Sequence, residues 1–534
     1  MKHGDRPASN LEGTRSPVLA MNGMVATSQP LASAAALRVL QDGGNAVDAA
    51  ITAAAVLAVV EPNSTGIGGD MFALVYMQQD GKPVGLNGSG WAGSKASVDF
   101  FKSRDVSHIP LFGMHSVSVP GAVAGWYKLH QKYGKLPMSR NFAPAIEYAD
   151  KGFPVSDIIA TQWKRPEERL RATPDAARVL LKDGRAPRHG DLFRMPELAR
   201  TLSILAEAGR DAFYKGDIAK KIVEFSDRHD GMLTLDDFAA FDAQWIDPVS
   251  TNYRGYDVYE LGAQTQGTTV LEMLNILEDY DFKALGHNSV EHLHLMIEAK
   301  KLAFADRDAY IADPDKARVP AAQLISKAYA SDRRKLIAPN QAMASPQPGI
   351  REIGDTVYFT VVDKDRNAVS FINSLYESFG SGLVAGNTGI VLHNRAALFV
   401  LDPKHPNVIA PRKRPFHTLI PGMVLKNQKP YFSFGVMGAD NQPQGHVQAL
   451  INLIDFGMDA QQAGEAPRFR HSGDEVLLES AFDGAIRSGL TQKGHHVASA
   501  VDAWGGYQGI LIDPSSGVLI GGSDPRKDGL AIGW

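Results

Sequence analysis

The chain has 534 residues, too many for one simple core, and its hydrophobic fraction of 44% and charged fraction of 21% are ordinary for globular proteins. Its net charge of −4 gives no electrostatic attraction to nucleic acid or to an anionic membrane, so we expect neither as a partner. Cysteine is absent, which excludes disulfides, cysteine nucleophiles and thiolate metal sites.

The N-terminal part carries the signals that decide the expected location. Residues 1–23 contain no apolar run of signal-peptide length. The longest apolar tract, Ala46 to Val60, is interrupted by Asp48 and is too short to span a bilayer. We therefore expect a cytoplasmic protein.

The alanine-rich segment PLASAAALRVLQDGGNAVDAAITAAAVLAVVEP predicts two closely packed helices, separated at Gly43-Gly44 and ended before Pro62. The next segment, TGIGGDMFALVY, predicts a glycine-rich turn that leads into a strand. This turn lacks the third glycine of a dinucleotide-binding loop, and a strand rather than a helix follows it. A structural turn is therefore the favoured interpretation.

The middle of the chain, from about Pro137 to Asp332, is predicted to be mostly helical, with its clearest helix in SVEHLHLMIEAKKLAFADRDAYI. His292 and His294 are two positions apart, so on a helix they diverge by about 200° and cannot share a metal. His287 is placed too loosely upstream to complete such a site. We therefore expect no metal site and no cofactor.

Beyond Thr356 the sequence changes to strands and tight turns around one helix, HVQALINLIDFGM, which predicts a layered α/β sandwich. The segment VVDKDRNAV predicts a hairpin. If Asp363 pairs with Asn367, Thr356 lies opposite Ser374, and the alternate apolar positions of both strands face the core. A slip by one residue would destroy this match.

A threonine hydroxyl becomes a nucleophile only when a base removes its proton. The G-x-S-x-G elbow of many serine hydrolases does not occur in this sequence. The other solution makes the nucleophile the N-terminal residue, whose α-amine, with an ordinary pKa of about 7.7–8.0, is the base. Thr356 reaches this state only if the chain is cut after Asp355, and the preceding segment QAMASPQPG is predicted to be unstructured. From the pattern alone, a buried hairpin threonine without a catalytic role is the alternative.

A series of motifs follows in order along the chain: GGNAVDAAI, TGIGGDMF, SVPGAVAGW, EAKKLAFADR, DTVYFTVVDKDRNAVS, FGSGLVAGNTGIVLHN, KRPFHTLIPG, APRFRH and GGSDPR. With these motifs the chain resembles the γ-glutamyltransferase family of N-terminal-nucleophile hydrolases over nearly its whole length. The resemblance implies an α/β (α+β) fold, a four-layer αββα sandwich formed jointly by two subunits cut from one chain. The large subunit would be residues 1–355 and the small subunit residues 356–534. They would stay together as a heterodimer, and a dimer of heterodimers is compatible with this arrangement.

The resemblance also implies roles for five residues. Thr356 would attack the carbonyl of Asp355 in self-cleavage, and would later form an acyl-enzyme that water or an acceptor amine releases. Ser374 stands at the family's hydroxyl position that supports the nucleophile, in agreement with the hairpin register. Gly438 and Ala439 stand where paired backbone N–H groups hold the oxyanion, and such a donor is commonly worth about 3–4 kcal/mol. The family has Gly-Gly here, so Ala439 needs a backbone that tolerates a side chain.

The chain departs from the family at the residues that hold the glutamyl group in true γ-glutamyl transferases. Leu398 stands in place of the family's aspartate and offers nothing to an α-ammonium group. Arg395, in place of a glutamine, and His417 suit a carboxylate, although a structural ion pair is the alternative for Arg395. The other substrate-binding positions that differ are Ser89, Tyr376 and Thr418.

These departures resemble the amidohydrolase branch of the family, which includes oxamate amidohydrolase. The leading hypothesis is an amide hydrolase, with acyltransferase activity as an option, that acts on a small carboxylate-bearing amide such as oxamate. The alternatives are glutathione hydrolysis or γ-glutamyl transfer, a glutaryl or cephalosporin acylase, and an unprocessed, non-catalytic binding protein.

Overall fold

A computed structural model describes residues 14–344, 355–500 and 504–534. Of the segment QAMASPQPG, which the sequence predicts to be unstructured, residues 345–349 lie outside the described residues. Among the helices of the described ranges, none combines the length and the apolar character needed to cross a membrane.

The strands of the described residues are β1 (Val18–Ala20), β2 (Met24–Thr27), β3 (Asp70–Tyr76), β4 (Pro83–Gly88), β5 (Phe153–Pro154), β6 (Leu192–Phe193), β7 (Gln244–Ile246), β8 (Val249–Tyr253), β9 (Tyr256–Glu260), β10 (Asp355–Val362), β11 (Ala368–Tyr376), β12 (Gly422–Lys426), β13 (Lys429–Val436), β14 (Phe469–Ser472), β15 (Glu475–Leu478), β16 (His496–Ser499), β17 (Tyr507–Ile512), β18 (Leu519–Ser523) and β19 (Leu530–Gly533).

The helices of the same ranges are α1 (Pro30–Gln41), α2 (Ala46–Val60), α3 (Val98–Lys102), α4 (Ala122–Tyr133), α5 (Met138–Lys151), α6 (Asp157–Lys164), α7 (Glu167–Arg171), α8 (Pro174–Leu180), α9 (Pro196–Ala208), α10 (Arg210–Tyr214), α11 (Asp217–Arg228), α12 (Leu235–Ala240), α13 (Gly267–Leu277), α14 (Phe282–Leu285), α15 (Val290–Tyr310), α16 (Ala321–Leu324), α17 (Lys327–Arg334), α18 (Asn441–Ile454), α19 (Ala460–Glu465) and α20 (Gly484–Gln492). A short 3₁₀ turn, Arg395–Leu398, also matters for the site.

Two seven-stranded antiparallel sheets form the centre of the molecule. One has the strand order β1-β18-β17-β13-β12-β9-β8, and the other has the order β19-β2-β10-β11-β3-β4-β7. Each sheet therefore takes strands from both sides of residue 355. The two predicted subunits would build both sheets jointly.

Apolar side chains fill three successive layers. Phe72, Tyr358 and Ile510 belong to the cluster between the two sheets. Val357 and Phe359 point to the other face of β10, where they join the cluster of helices α1, α2, α4 and α5. Helices α13, α15 and α18 cover the outer face of the sheet that contains β13 and β17. The order is helix, sheet, sheet, helix, so the predicted four-layer αββα sandwich is confirmed.

The predicted helices of the alanine-rich segment are confirmed as α1 and α2, and those of the two later segments as α15 and α18. The region predicted to be mostly helical also contains β7, β8 and β9, which the sequence analysis missed. These strands have three to five residues each. Strands this short carry too few alternations to be distinguished from a loop.

Asp48 fixes the start of α2. Its buried carboxylate accepts a hydrogen bond from the backbone N–H of Asn45 at 3.1 Å, which completes a capping box. It also accepts hydrogen bonds from the N–H groups of Lys135 and Leu136 and from Nδ2 of Asn141, at 3.1 to 3.2 Å. The carboxylate therefore joins α2 to the loop before α5.

We expect Asp48→Ala to lower the free energy of unfolding by about 3 kcal/mol, because several buried N–H donors lose their acceptor. The matched control is Asp42→Ala, since Asp42 pairs with Arg38 and Arg140 at the surface. We expect the control to cost less than about 1 kcal/mol. Urea unfolding compares the two variants, and equal losses would contradict the structural role of Asp48.

Candidate active site

The hydroxyl groups of Thr356 and Ser374 lie 3.1 Å apart at the buried end of β10 and β11. The strands pair as predicted from Val362 back to Val357, which lies opposite Asn373. The pairing becomes irregular only between Val357 and Asp355, at the end of the strand that carries Thr356. Phe359 stacks on Phe371 on the core face, with ring centroids 4.8 Å apart. The predicted register of the hairpin is therefore confirmed.

A buried arginine lies directly beside this hydroxyl pair. Nη2 of Arg395 donates to Oγ of Ser374 at 3.0 Å, and Nη1 donates to Oγ1 of Thr418 at 2.9 Å. The guanidinium also lies over the ring of Tyr376, 4.5 Å from its centroid. The structure thus brings Arg395, Thr418 and Tyr376 together around Ser374, as their assignment to one pocket requires.

Tyr376 has a conformation that is rare for a residue with a side chain. Its φ is +81°, and its backbone N–H donates to Oγ of Ser374 at 2.7 Å. Such left-handed residues cost of order 1–3 kcal/mol and persist only where their surroundings hold them. Here the strained residue supplies a backbone donor to the hydroxyl beside Thr356.

Asp70 is part of the site, and the sequence analysis did not single it out. It lies opposite Ser374 on the neighbouring strand β3 and is fully buried. Its carboxylate accepts hydrogen bonds from Nε2 of His417 at 3.1 Å and from the N–H of Gly90 at 2.8 Å. Burial alone would raise the pKa of Asp70, but the interaction with His393 and the hydrogen bond from His417 hold it well below its usual range.

Both ring nitrogens of His417 have hydrogen-bond partners within the protein. Its Nε2 faces Asp70, and its Nδ1 accepts the N–H of Leu419 at 3.4 Å. Burial, followed by the charge of Arg395, lowers the pKa of His417 to about 3 against the opposing effect of Asp70. The ring is therefore neutral at neutral pH, whereas the sequence analysis assigned it to a substrate carboxylate.

Ser89 also has protein partners for its hydroxyl. It donates to Oδ1 of Asn87 at 2.7 Å and accepts from Nε2 of Gln264 at 2.8 Å. Its chain neighbour Gly90 binds Asp70, so Ser89 lies next to the site described above. Leu398 belongs to the same 3₁₀ turn as Arg395 and is only 4% exposed.

The Gly438–Ala439 turn follows β13, which packs face to face on β10. Oγ1 of Thr360 lies 2.6 Å from Oγ of Ser433, and the ring of Tyr358 leaves no room for a Cβ on Gly435. Side chains on one face of a strand recur every two residues. By this alternation we expect the end of β10 at Thr356 to face the end of β13, which is followed by Met437 and Gly438.

The turn itself has a backbone suited to presenting N–H groups. Gly438 has a φ of +117° and Ala439 a φ of +46°, and helix α18 begins two residues later at Asn441. The N-terminus of a helix carries a partial positive charge and favours an anion. Ala439 adopts the left-handed conformation despite its methyl group, as the replacement of a family glycine requires.

The described ranges contain a cluster whose ligand atoms lie close enough for a metal, formed by His294, Glu298 and His495. Its members already have protein partners, because Nδ1 of His294 lies 2.8 Å from Nε2 of His495 and Glu298 accepts from Nζ of Lys301 at 2.8 Å. The buried ammonium group of Lys301 disfavours a further cation. The sequence prediction was made for His292 with His294, whereas His294 and Glu298, four residues apart on α15, are the pair that lies close together.

Comparison with known proteins identifies the family. The family model described as gamma-glutamyltranspeptidase matches residues 32–534. A glutathione hydrolase-like YwrD proenzyme of Bacillus subtilis is 41% identical, over 97% of this chain and 99% of the relative. An oxamate amidohydrolase proenzyme of Klebsiella pneumoniae is 36% identical, over 96% of this chain and 98% of the relative.

The solved structure of a cephalosporin acylase from Bacillus halodurans matches with 44% identity and a TM-score of 0.92, covering 97% of each chain. The chain therefore belongs to the γ-glutamyltranspeptidase family of N-terminal-nucleophile hydrolases, and it is an amide hydrolase of that family. The predicted family and enzyme class are confirmed. The non-catalytic binding protein is not retained as an alternative.

The neutral state of His417 predicts a specific pH dependence of stability. An unfolded histidine has an ordinary pKa of about 6.5, so below this pH the unfolded chain binds a proton that folded His417 does not bind. The free energy of unfolding then falls as the pH falls, by up to about 1.4 kcal/mol per pH unit. We expect His417→Gln to gain about 2 kcal/mol relative to the wild type between pH 7.5 and pH 5.

Urea unfolding at both pH values measures this difference. The matched control is Thr201→Val, because Thr201 is buried and does not titrate, so its stability relative to the wild type should not change with pH. An unchanged relative stability of His417→Gln would mean that His417 is already charged in the folded protein.

Proposed function

We propose that the chain cleaves itself between Asp355 and Thr356, and that the mature two-subunit enzyme hydrolyses a small carboxylate-bearing amide such as oxamate. The observation that carries this proposal is the position of Ser374. Its Oγ lies 3.1 Å from Oγ1 of Thr356 and 3.0 Å from Nη2 of Arg395. The proenzyme names of the relatives support the cleavage.

In maturation, Oγ1 of Thr356 attacks the carbonyl carbon of Asp355. The hydroxyl proton passes to the amide nitrogen as the C–N bond breaks, so the acyl group is held by the oxygen as an ester and the α-amine of Thr356 is released. Water then hydrolyses the ester and leaves residues 1–355 and 356–534 as separate chains. The new α-amine has a pKa near working pH and can serve as the general base.

In turnover, the α-amine takes the hydroxyl proton of Thr356 while Oγ1 attacks the amide carbon of the substrate. The N–H groups of Gly438 and Ala439 hold the negative oxygen of the tetrahedral intermediate. The leaving amine takes up the proton and departs, and water hydrolyses the acyl-enzyme. An acceptor amine in place of water would give acyl transfer.

Arg395 sets the proposed substrate class. Its Nη2 and Oγ1 of Thr356 are no more than two hydrogen-bond lengths apart, because both bind the same oxygen of Ser374. A carboxylate held by Arg395 would therefore lie close to the amide carbon under attack, as in oxamate, where the two carbons are bonded. A γ-glutamyl group separates them by several bonds.

The apolar side chain of Leu398 in the same turn also disfavours the ammonium group of a glutamyl donor. His417 contributes to this proposal through Asp70 rather than as a cation, and Thr418 and Tyr376 hold Arg395 in place. The pairing of two heterodimers and a cytoplasmic location stay predictions.

A second substrate class is favoured by a specific observation. The cephalosporin acylase has the structural similarity given above, so a glutaryl or cephalosporin-type acyl chain is the second class. Glutathione hydrolysis stays the third option through the YwrD relative. A panel of oxamate, a γ-glutamyl anilide and a glutaryl amide separates the three.

We expect Thr356→Ala to remain a single chain, because the attacking oxygen is absent, and Thr356→Ser to cleave more slowly. The matched control is Thr360→Ala, since Thr360 is also a buried threonine of β10 and lies further along the same strand. The control should cleave normally. Intact-mass measurement of the small subunit should give Thr356 as its first residue, and a different N-terminus would contradict the mechanism.

We expect Arg395→Gln to lower kcat/KM for oxamate by about two to three decades, because the substrate carboxylate would be left without its partner. For oxamide, a neutral substrate of nearly the same shape, the same substitution should change kcat/KM little. Rates are measured on matured protein, so that a defect in cleavage is not read as a change in specificity.

The control for this variant is Thr418→Val, which removes one contact of Arg395 and keeps its charge. It should retain the preference for oxamate over oxamide. If Arg395→Gln affects both substrates equally, or if the wild type prefers a γ-glutamyl anilide, Arg395 is not the carboxylate anchor.

A further inference from the structure

The side-chain amide of Gln266 lies behind the Gly438–Ala439 turn and is fully buried, directly before α13. Its Nε2 donates two hydrogen bonds, to the carbonyl oxygen of Ala439 and to that of Thr418, each at 2.8 Å. Both amide hydrogens are therefore used. They join the turn to the residue whose hydroxyl binds Arg395.

Arg307 fixes which way this amide faces. Its Nη1 donates to Oε1 of Gln266 at 3.0 Å and to Oδ1 of Asp440 at 2.7 Å. A flipped amide would point its N–H groups at the guanidinium and its oxygen at two carbonyls, and both contacts would be repulsive. The direction of the two donated bonds is therefore determined by Arg307.

The turn needs such support because Ala439 has a φ of +46°. A left-handed residue with a side chain is strained and persists where neighbouring groups hold it. The carbonyl oxygen of Ala439 accepts the N–H of Gln442 at 3.1 Å as well as Nε2 of Gln266. Two donors thus fix the orientation of the peptide that follows Ala439.

We propose that Gln266 is a positioning residue that holds the Gly438–Ala439 turn in its left-handed conformation and sets its distance from Arg395. The inference rests on the proposed function, in which this turn binds the oxyanion and Arg395 binds the substrate carboxylate. Gln266 touches neither the substrate nor the nucleophile. It acts on the transition state, because the oxyanion forms only there.

The test compares Gln266→Met with the wild type on matured, two-subunit protein, using oxamate or whichever amide of the panel the wild type turns over. Methionine has nearly the same length and donates no hydrogen bond. We expect kcat to fall by about tenfold to thirtyfold with KM changed less than about twofold, since transition-state binding alone is weakened. Gln266→Glu, which keeps the size and the contact with Arg307, should lower kcat at least as far.

Rescue by glycine distinguishes positioning from a general packing role. Ala439→Gly should restore several-fold of the kcat lost in Gln266→Met, because glycine adopts a positive φ without strain, and the same substitution in the wild-type background gives the reference rate. The matched control is Gln461→Met, since Gln461 is a buried glutamine with similar bonds to Ser523 elsewhere in the fold. It should reduce stability without this change in kcat.

The outcomes separate the two proposals. If Thr356→Ala keeps amide hydrolysis, the proposed function fails. If Thr356→Ala is inactive while Gln266→Met and Gln266→Glu keep wild-type kcat, only the role of Gln266 is overturned. A fall in kcat that Ala439→Gly leaves unchanged would also overturn it.

Discussion

The pairing register of β10 and β11 is the constraint on which the rest of the site depends. Asp363 fixes it at the turn, where its N–H donates to the carbonyl of Asn367 at 3.1 Å and its carboxylate accepts the N–H of Ala46 at the start of α2. The register brings Thr356 against Ser374 at the far end. A slip by one residue would turn every side chain of the strand to the opposite face and would separate the two hydroxyls.

The hydroxyl pair of Thr356 and Ser374 is surrounded by a buried charge and by residues with strained backbones, each of which costs free energy. Arg395 has no exposed surface, and Tyr376 and Ala439 have positive φ values. Each is held by several neighbours, since Ser374 and Thr418 bind the guanidinium and backbone hydrogen bonds bind the two strained residues. Strain concentrated where negative charge would develop is expected of a preorganised site, which does not have to rearrange during the reaction.

Features that depend on local periodicity or on the order of motifs could be predicted from the sequence. The hairpin register followed from alternation around a five-residue charged turn, and α1, α2, α15 and α18 followed from apolar spacing. Asp70 and Gln266 were missed, because their importance comes from contacts with residues far away in the sequence. Asp70 stands in the TGIGGDMF motif, which was a usable signal. The direction of the His417 ring depends on Asp70, so the sequence alone could not give it.

The central claim is that Thr356 carries the acyl group during amide hydrolysis. It is tested most directly by denaturing the mature enzyme in acid during turnover and locating the added acyl mass by peptide mapping. The account predicts that the mass lies on the N-terminal peptide of the small subunit, on Thr356 itself, and that it disappears when the substrate is exhausted. Acyl mass on another residue, or full activity of an uncleaved 534-residue chain, would contradict it.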